Sequence, residues 1–341
     1  MGNILISDAT LRDGNHAVKH GITVDKIAIY CKAADAAKIP IVEVGHGNGI
    51  GASSLQVGVS ACTDKEALSV ARENLINAKL SVHAIPGFAT IEKDIIPALD
   101  LGVDIVRVAS HCTEADLTQR HIEFVRKRGN TVYGVLMMSH MVSSKILLEQ
   151  GKKMEAYGAE GIIIMDSAGH YLPENVTERV KTLTNGLNIH VGFHAHNNLG
   201  MAIANSVAAA NAGATMLDGC ARGFGAGAGN AQLEVLVAVL ERLGYETNID
   251  LYELLDASNI AELELMELVP YIKSISIVSG LAGVFSGFSK HVERIAKEFH
   301  LDARDIFFEL GQRKVIAGQE DYILEVASNL AQRKDLNESE S

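Results

Sequence analysis

The chain has 341 residues, of which 48% are apolar, 21% charged and 5% aromatic, with no tryptophan. That length suits one large barrel with an extension, or two domains, and the apolar content excludes disordered and collagen-like chains. With 42 acids against 30 bases the net charge is −12, which repels polyanions and supplies no basic stripe; nucleic acid and anionic membrane are excluded as partners, and small molecules and proteins remain.

Short β-branched runs recur along the chain, each followed by a stretch with helical spacing. In order they cover 4–7, 41–44, 80–85, 105–108, 132–137, 162–165, 189–193 and 216–217. Between them, Thr63 and Glu66 form a capping box ahead of Ala67, Ala71 and Leu75, and Pro173 opens a turn before Val176, Val180 and Leu183. Eight β-then-α units predict an α/β fold, a (β/α)8 TIM barrel over 1–245, with a doubly wound sheet as the competitor. Beyond Gly244 the strand signal fades. Amphipathic stretches at 251–268, 284–299 and 321–330 predict a helical C-terminal domain over 246–341. Cys31, Cys62, Cys112 and Cys220 are widely spaced without a CxxC pair, which fits free thiols in a reducing cytoplasm. Neither a signal peptide nor a run of membrane-spanning length is visible.

A barrel enzyme draws its site from residues just after its strands. The first strand runs into Asp8-Ala-Thr-Leu-Arg12-Asp13-Gly-Asn-His16, where a cation, a ligand and a base lie within five residues. The seventh ends in His194-Ala-His196, and the two-residue period of a strand points both imidazoles to one side, where they can chelate one ion. Asp13, brought beside strands 7 and 8 by barrel closure, completes a two-histidine, one-carboxylate divalent-metal site with open positions. The glycine-rich run from Gly223 to Gly229 follows the last strand, the wrong place for a dinucleotide fingerprint, and suits close approach of backbone to the pocket. A similar run, Gly45-His-Gly-Asn-Gly49-Ile-Gly51, has no specific role assigned. No strand end carries a Schiff-base lysine and no GxSxG elbow is present, so metal-assisted carbonyl chemistry remains.

At these residues the chain resembles the 4-hydroxy-2-oxovalerate aldolases, class II pyruvate aldolases of the HMG-CoA lyase-like barrel superfamily. The resemblance is carried by the string from Asp8 to His16, His111-Cys-Thr-Glu-Ala-Asp116, Leu136-Met-Met-Ser-His-Met141, His194-Ala-His196, the run from Gly225 to Ala231 and Gly318-Gln-Glu-Asp321. It implies retro-aldol cleavage of a 4-hydroxy-2-oxo acid to pyruvate and an aldehyde. It further implies Mn²⁺, or Co²⁺ or Mg²⁺, on Asp13, His194 and His196, with Arg12 steadying the enolate, His16 as base and substrate contact at Ser167. A family tyrosine is Phe285 here, at a substrate-facing position, and a second is Leu281. Implied too are a cytoplasmic oligomer and an acylating acetaldehyde dehydrogenase docked on the C-terminal helices. Alternatives are a related carbon–carbon lyase or acyl-CoA condensing enzyme, or a metal-binding subunit without catalysis.

Overall fold

Eight parallel strands close on themselves in sequence order, in a computed structural model that describes residues 2–316 and 318–339. They are β1 (Leu5–Asp8), β2 (Ile41–Glu43), β3 (Lys79–Ala84), β4 (Ile105–His111), β5 (Thr131–Met137), β6 (Gly161–Asp166), β7 (His190–Ala195) and β8 (Met216–Gly219). Their apolar runs are nearly continuous because both faces are covered, one by helices and one by the barrel's own filling. Val106, Val108, Ile162, Ile164 and Phe193 pack outward in the main core, whereas Ile41, Ile105, Tyr133, Ile163 and Met216 form a separate cluster inside. The same alternation turns Glu43, His83, Arg107, His194 and Asp218 inward. β1 pairs with β8, Ser7 opposite Asp218, so the chain leaving β1 lies beside the ends of β7 and β8.

The helix signals between strands are borne out. The Thr63–Glu66 capping box starts Asp64–Asn74, and Pro173 is the first residue of Pro173–Gly186, which buries Val176, Val180 and Leu183. Toward the C-terminus the helices differ from expectation. Leu251–Leu265 sends Leu254, Ala261 and Leu265 into the barrel's core. The helix expected from 284 begins only at Ser289: Gly283 (φ +66°) ends the preceding helix, Phe285 is extended and Ser286–Phe288 makes a tight turn. Ser274–Ala282 was not expected, because its β-branched, all-round apolar composition hides a helical period, and neither was Ala303–Gln312. These helices and Asp321–Ser339 bury Val284, Phe288, Val292, Phe307, Leu310 and Val326 in a core of their own. No helix among the described residues is long and apolar enough to cross a membrane.

The tail meets the barrel at its mouth. Past β5, β6 and β7 respectively, His140 contacts the Gly283 carbonyl through Nε2 (2.9 Å), His170 the Gly280 carbonyl through Nδ1 (2.7 Å), and Asn198 donates to the Ser286 hydroxyl (2.6 Å). The turn around Gly283 is thereby held across the C-terminal ends of the strands.

Candidate metal centre and active site

β1 ends at Asp8, whose buried carboxylate accepts from the Thr10 N–H (2.9 Å), the Thr10 hydroxyl and the Tyr30 hydroxyl (2.6 Å). This cage folds the chain at once into the short helix Thr10–Asp13, which returns Arg12 and Asp13 to the barrel axis. Asp13 therefore acts from one turn beyond the strand rather than from the strand itself. Its Oδ1 accepts from the Ala226 N–H (3.3 Å), supplied by the glycine-rich run after β8, and its Oδ2 lies 3.1 Å from His194 Nε2 and 3.8 Å from His196 Nε2.

One ligand atom from each of Asp13, His194 and His196 lies within 4.8 Å of the others, and all three residues are buried. Asp13 Oδ2 and His194 Nε2 face each other without a well-directed hydrogen bond, Oδ2 having only the ion-pair neighbour Arg12 besides, and neither atom reaches water. Such atoms are costly unless something joins them, and a carboxylate with two imidazoles is a donor set that a divalent ion fits. Asp218 accepts from His194 Nδ1 (2.8 Å), which aims Nε2 at Asp13, the carboxylate-backed arrangement in which metal-binding histidines are held. His196 is neutral, burial lowering its pKa to about 3.

Beneath this trio the charges form a closed circuit. Arg12 Nη1 is 3.0 Å from Asp13 Oδ2 and its Nε donates to Glu43 Oε1 (2.7 Å). Arg107 Nη1 is 3.3 Å from Glu43 Oε2, and its Nη2 donates to Asp218 Oδ2 (2.5 Å), which returns to His194. Every member is buried. Burial pushes the Asp13 carboxyl up, but the Arg12 guanidinium and the two histidines outweigh it and hold the group well below its ordinary value. Against the same burial, Arg107 and His194 hold Asp218 at about 2. All three carboxylates are charged near neutrality.

At the mouth, half-buried His16 lies edge-on to His20, with ring centroids 5.5 Å apart, and His20 stacks on His46 at 3.6 Å. Burial lowers His16 and so favours the neutral imidazole. Ser167 accepts from the Met138 N–H (3.0 Å) and steadies its left-handed backbone (φ +53°); its own hydrogen can be donated elsewhere. Phe285 packs in the tail's core against Phe288, while Ser286 beside it is the residue tied to Asn198. Arg12, Asp13, His194 and His196 thus meet at one point, and Ser167 and Phe285 have structural partners of their own. Sequence reasoning missed Glu43, His83, Arg107 and Asp218. A signal was available, since each is a polar residue at an inward position of an otherwise apolar strand.

A closed barrel with this trio at its mouth defines a class: enzymes of the (β/α)8 fold that use a divalent ion on carbonyl substrates. The HMGL-like family model matches residues 3–261, and a DmpG-like communication domain matches residues 270–332. A 4-hydroxy-2-oxovalerate aldolase of Spirochaeta aurantia is 63% identical over 330 residues, with 97% of each chain covered. One from Pectobacterium atrosepticum is 60% identical over 332 residues, with the same coverage of both. The carboxyl transferase domain of Rhizobium etli pyruvate carboxylase, solved with pyruvate, superposes with a TM-score of 0.78 over 97% of this chain and 61% of that one, and at 16% identity the likeness is one of fold. The chain belongs to the HMGL-like family and, within it, to the 4-hydroxy-2-oxovalerate aldolases; it is a lyase.

Arg107→Met leaves Glu43 and Asp218 buried with one cation fewer, which should cost about 3–5 kcal/mol of stability. Loss of the exposed Arg128–Asp100 pair should cost about 0–1 kcal/mol. Urea unfolding of both variants checks this, and equal losses would refute the circuit's importance. The histidine stack predicts acid sensitivity. Burial, with the neighbouring imidazoles, lowers His20 from 6.5 to about 3, and burial lowers His46 to about 4. Below pH 6.5 the unfolded rings take up protons that the folded rings refuse, so stability that is complete above 6.5 is lost as pH falls toward these values. The urea midpoint should drop between pH 7 and 5, and drop less in His46→Gln than in the parent protein.

Proposed function

We propose that the chain cleaves a 4-hydroxy-2-oxo acid, such as 4-hydroxy-2-oxopentanoate, to pyruvate and an aldehyde, with Asp13, His194 and His196 holding a divalent ion, Mn²⁺, with Co²⁺ or Mg²⁺ able to replace it. The observation that carries this is the buried cluster of ligand atoms, Asp13 Oδ2 and His194 Nε2 facing each other beside His196 without a well-directed hydrogen bond. A bound divalent ion supplies Lewis acidity at the 2-oxo group. Charge supports the substrate class: three carboxylates and two guanidiniums leave the circuit at −1, a divalent ion makes it +1, and a monoanionic oxo acid neutralises it.

His16 takes the proton of the C4 hydroxyl. The C3–C4 electron pair then moves toward C2, the C4 oxygen closes to an aldehyde, and the resulting pyruvate enolate takes a proton at C3. Arg12 holds the developing enolate oxygen and the carboxylate with its planar fork, kept in orientation by Glu43. A positioned base contributes about 10²–10⁴ in rate. Ser167 donates its remaining hydrogen to the substrate, and Phe285, partly buried and edge-on to Phe288, turns its remaining surface to the C4 side without a hydroxyl. We place the catalytic unit in the barrel together with Leu251–Leu265, which packs in its core and moves the expected boundary past 245, and a communication unit in the helices that follow, the latter docking an acylating acetaldehyde dehydrogenase. Its support is the communication-domain match and the exposed Tyr271 and Leu281 on that segment. Four free cysteines accord with a reducing cytoplasm.

Pyruvate release should stop with a strong chelator and return with Mn²⁺, and Asp13→Asn, His194→Ala and His196→Ala should lose Mn²⁺ binding while remaining folded. Full activity of metal-free protein would refute the assignment. Phe285→Tyr should sharpen the preference for one C4 enantiomer by roughly 2- to 12-fold, the effect of one hydrogen bond of about 0.5–1.5 kcal/mol. Unchanged selectivity with a lowered melting temperature would instead make Phe285 a core residue of the tail.

A further inference from the structure

The glycine-rich run after β2 is built around the imidazole of His16. Asn15 anchors its start by donating to the Gly45 carbonyl (2.9 Å) and to the Leu11 carbonyl (3.1 Å), which ties the run to the Arg12–Asp13 turn. The Gly47 carbonyl accepts from Arg12 Nη1 (3.4 Å), and the Gly47 N–H donates to His20 Nδ1 (3.4 Å). His46 accepts from the Asn48 N–H at Nδ1 (3.0 Å) and meets the Gly58 carbonyl at Nε2 (3.2 Å), so both its nitrogens are engaged and it backs His20 as a fixed plate. The His16 ring lies over Gly47 so closely that a Cβ there would sit 2.6 Å from Cε1 and Nε2 and 2.7 Å from Nδ1. Gly47 is not in the left-handed region, unlike Gly45, Gly49 and Gly51. The nearest obstacle a methyl group at Gly47 meets is therefore the His16 ring, a side chain able to swing away.

We propose, on the reading of His16 as the base, that Gly47 and the stacked His20–His46 pair are positioning residues. They hold the His16 ring against bare backbone so that its free nitrogen faces the C4 hydroxyl of the substrate. The run's glycine at 47 is thus a seat for the base, and His20 meets the ring edge-on while bonding the Gly47 N–H. Hydrogen bonds from Asn15 and Arg12 set the seat relative to the metal ligands. A misplaced base costs rate with little effect on the groups that bind the oxo acid, because Arg12 is held chiefly by Glu43 and Asp13, Asp13 by Ala226 and His194 by Asp218.

The test is Gly47→Ala in the full chain, measured for pyruvate release, Mn²⁺ affinity, inhibition by oxalate as a planar enolate mimic, and melting temperature. The expected result is a kcat lowered by about 10²-fold, the usual cost of displacing a catalytic group by about 1 Å. KM, Mn²⁺ affinity, the oxalate inhibition constant and the melting temperature should stay near those of the parent protein. A second pair covers a poorly folding variant: His20→Asn, whose amide oxygen can still accept from the Gly47 N–H, should keep several-fold more kcat than His20→Leu. His16→Ala separates the two claims. If His16→Ala loses kcat while Gly47→Ala keeps it, or if His20→Asn and His20→Leu behave alike, the seat is overturned and the base stands. If His16→Ala itself keeps near-parent kcat, the base is overturned and the seat with it.

Discussion

Three carboxylates and two guanidiniums share the interior of one barrel, and none of them reaches water. Each such charge, taken alone, would cost several kcal/mol to desolvate, so they persist only because each is paired on two sides. Glu43 joins Arg12 to Arg107, Asp218 joins Arg107 to His194, and Asp13 joins His194 back to Arg12. The circuit explains why β2, β4, β7 and β8 each place a polar side chain inside an otherwise apolar core. It also fixes the geometry of the site, because the Arg12 guanidinium, through Glu43, and the His194 imidazole, through Asp218, are held by opposite ends of one Arg107 bridge.

The mouth of the barrel is assembled on top of that floor. Asp8, Thr10 and Tyr30 turn the chain so that Arg12 and Asp13 project inward, and the glycine-rich run after β8 lends a backbone N–H to Asp13. The tail crosses the same mouth through the contacts of His140, His170 and Asn198 with Gly283, Gly280 and Ser286. Helical tail and catalytic loops are therefore one mechanical unit, and a protein docked on the tail would bear on the rim of the site.

Much of the site was legible in the residues. His194-Ala-His196 on a strand specifies two imidazoles on one side, whatever surrounds them, and Asp13 follows once closure beside β8 is assumed. Glu43, Arg107 and Asp218 were overlooked, although Arg107 in Ile-Val-Arg-Val lies at an inward position and no exposed surface is available to it. Polar residues in buried strands are as informative as the loops after them. Phe285 shows what a string alone leaves out: its place suggests the pocket, and the structure adds a contact of its ring with Phe288 and ties the neighbouring Ser286 to Asn198 at the mouth.

By itself the sequence determined the periodicities: eight two-residue patterns followed by helical ones, and hence a barrel, its strand order and the inward face of each strand. Those properties are local, set by neighbouring side chains and backbone geometry. Only the tertiary structure decided that Leu251–Leu265 joins the barrel's core, that the helix expected from 284 starts at Ser289, and that Gly47 lies under His16. Each of these depends on which distant surface an element meets. The charge circuit belongs to both: its members were readable as inward polar residues, but their pairing required the barrel to close and bring β2, β4 and β8 within hydrogen-bond reach across its axis.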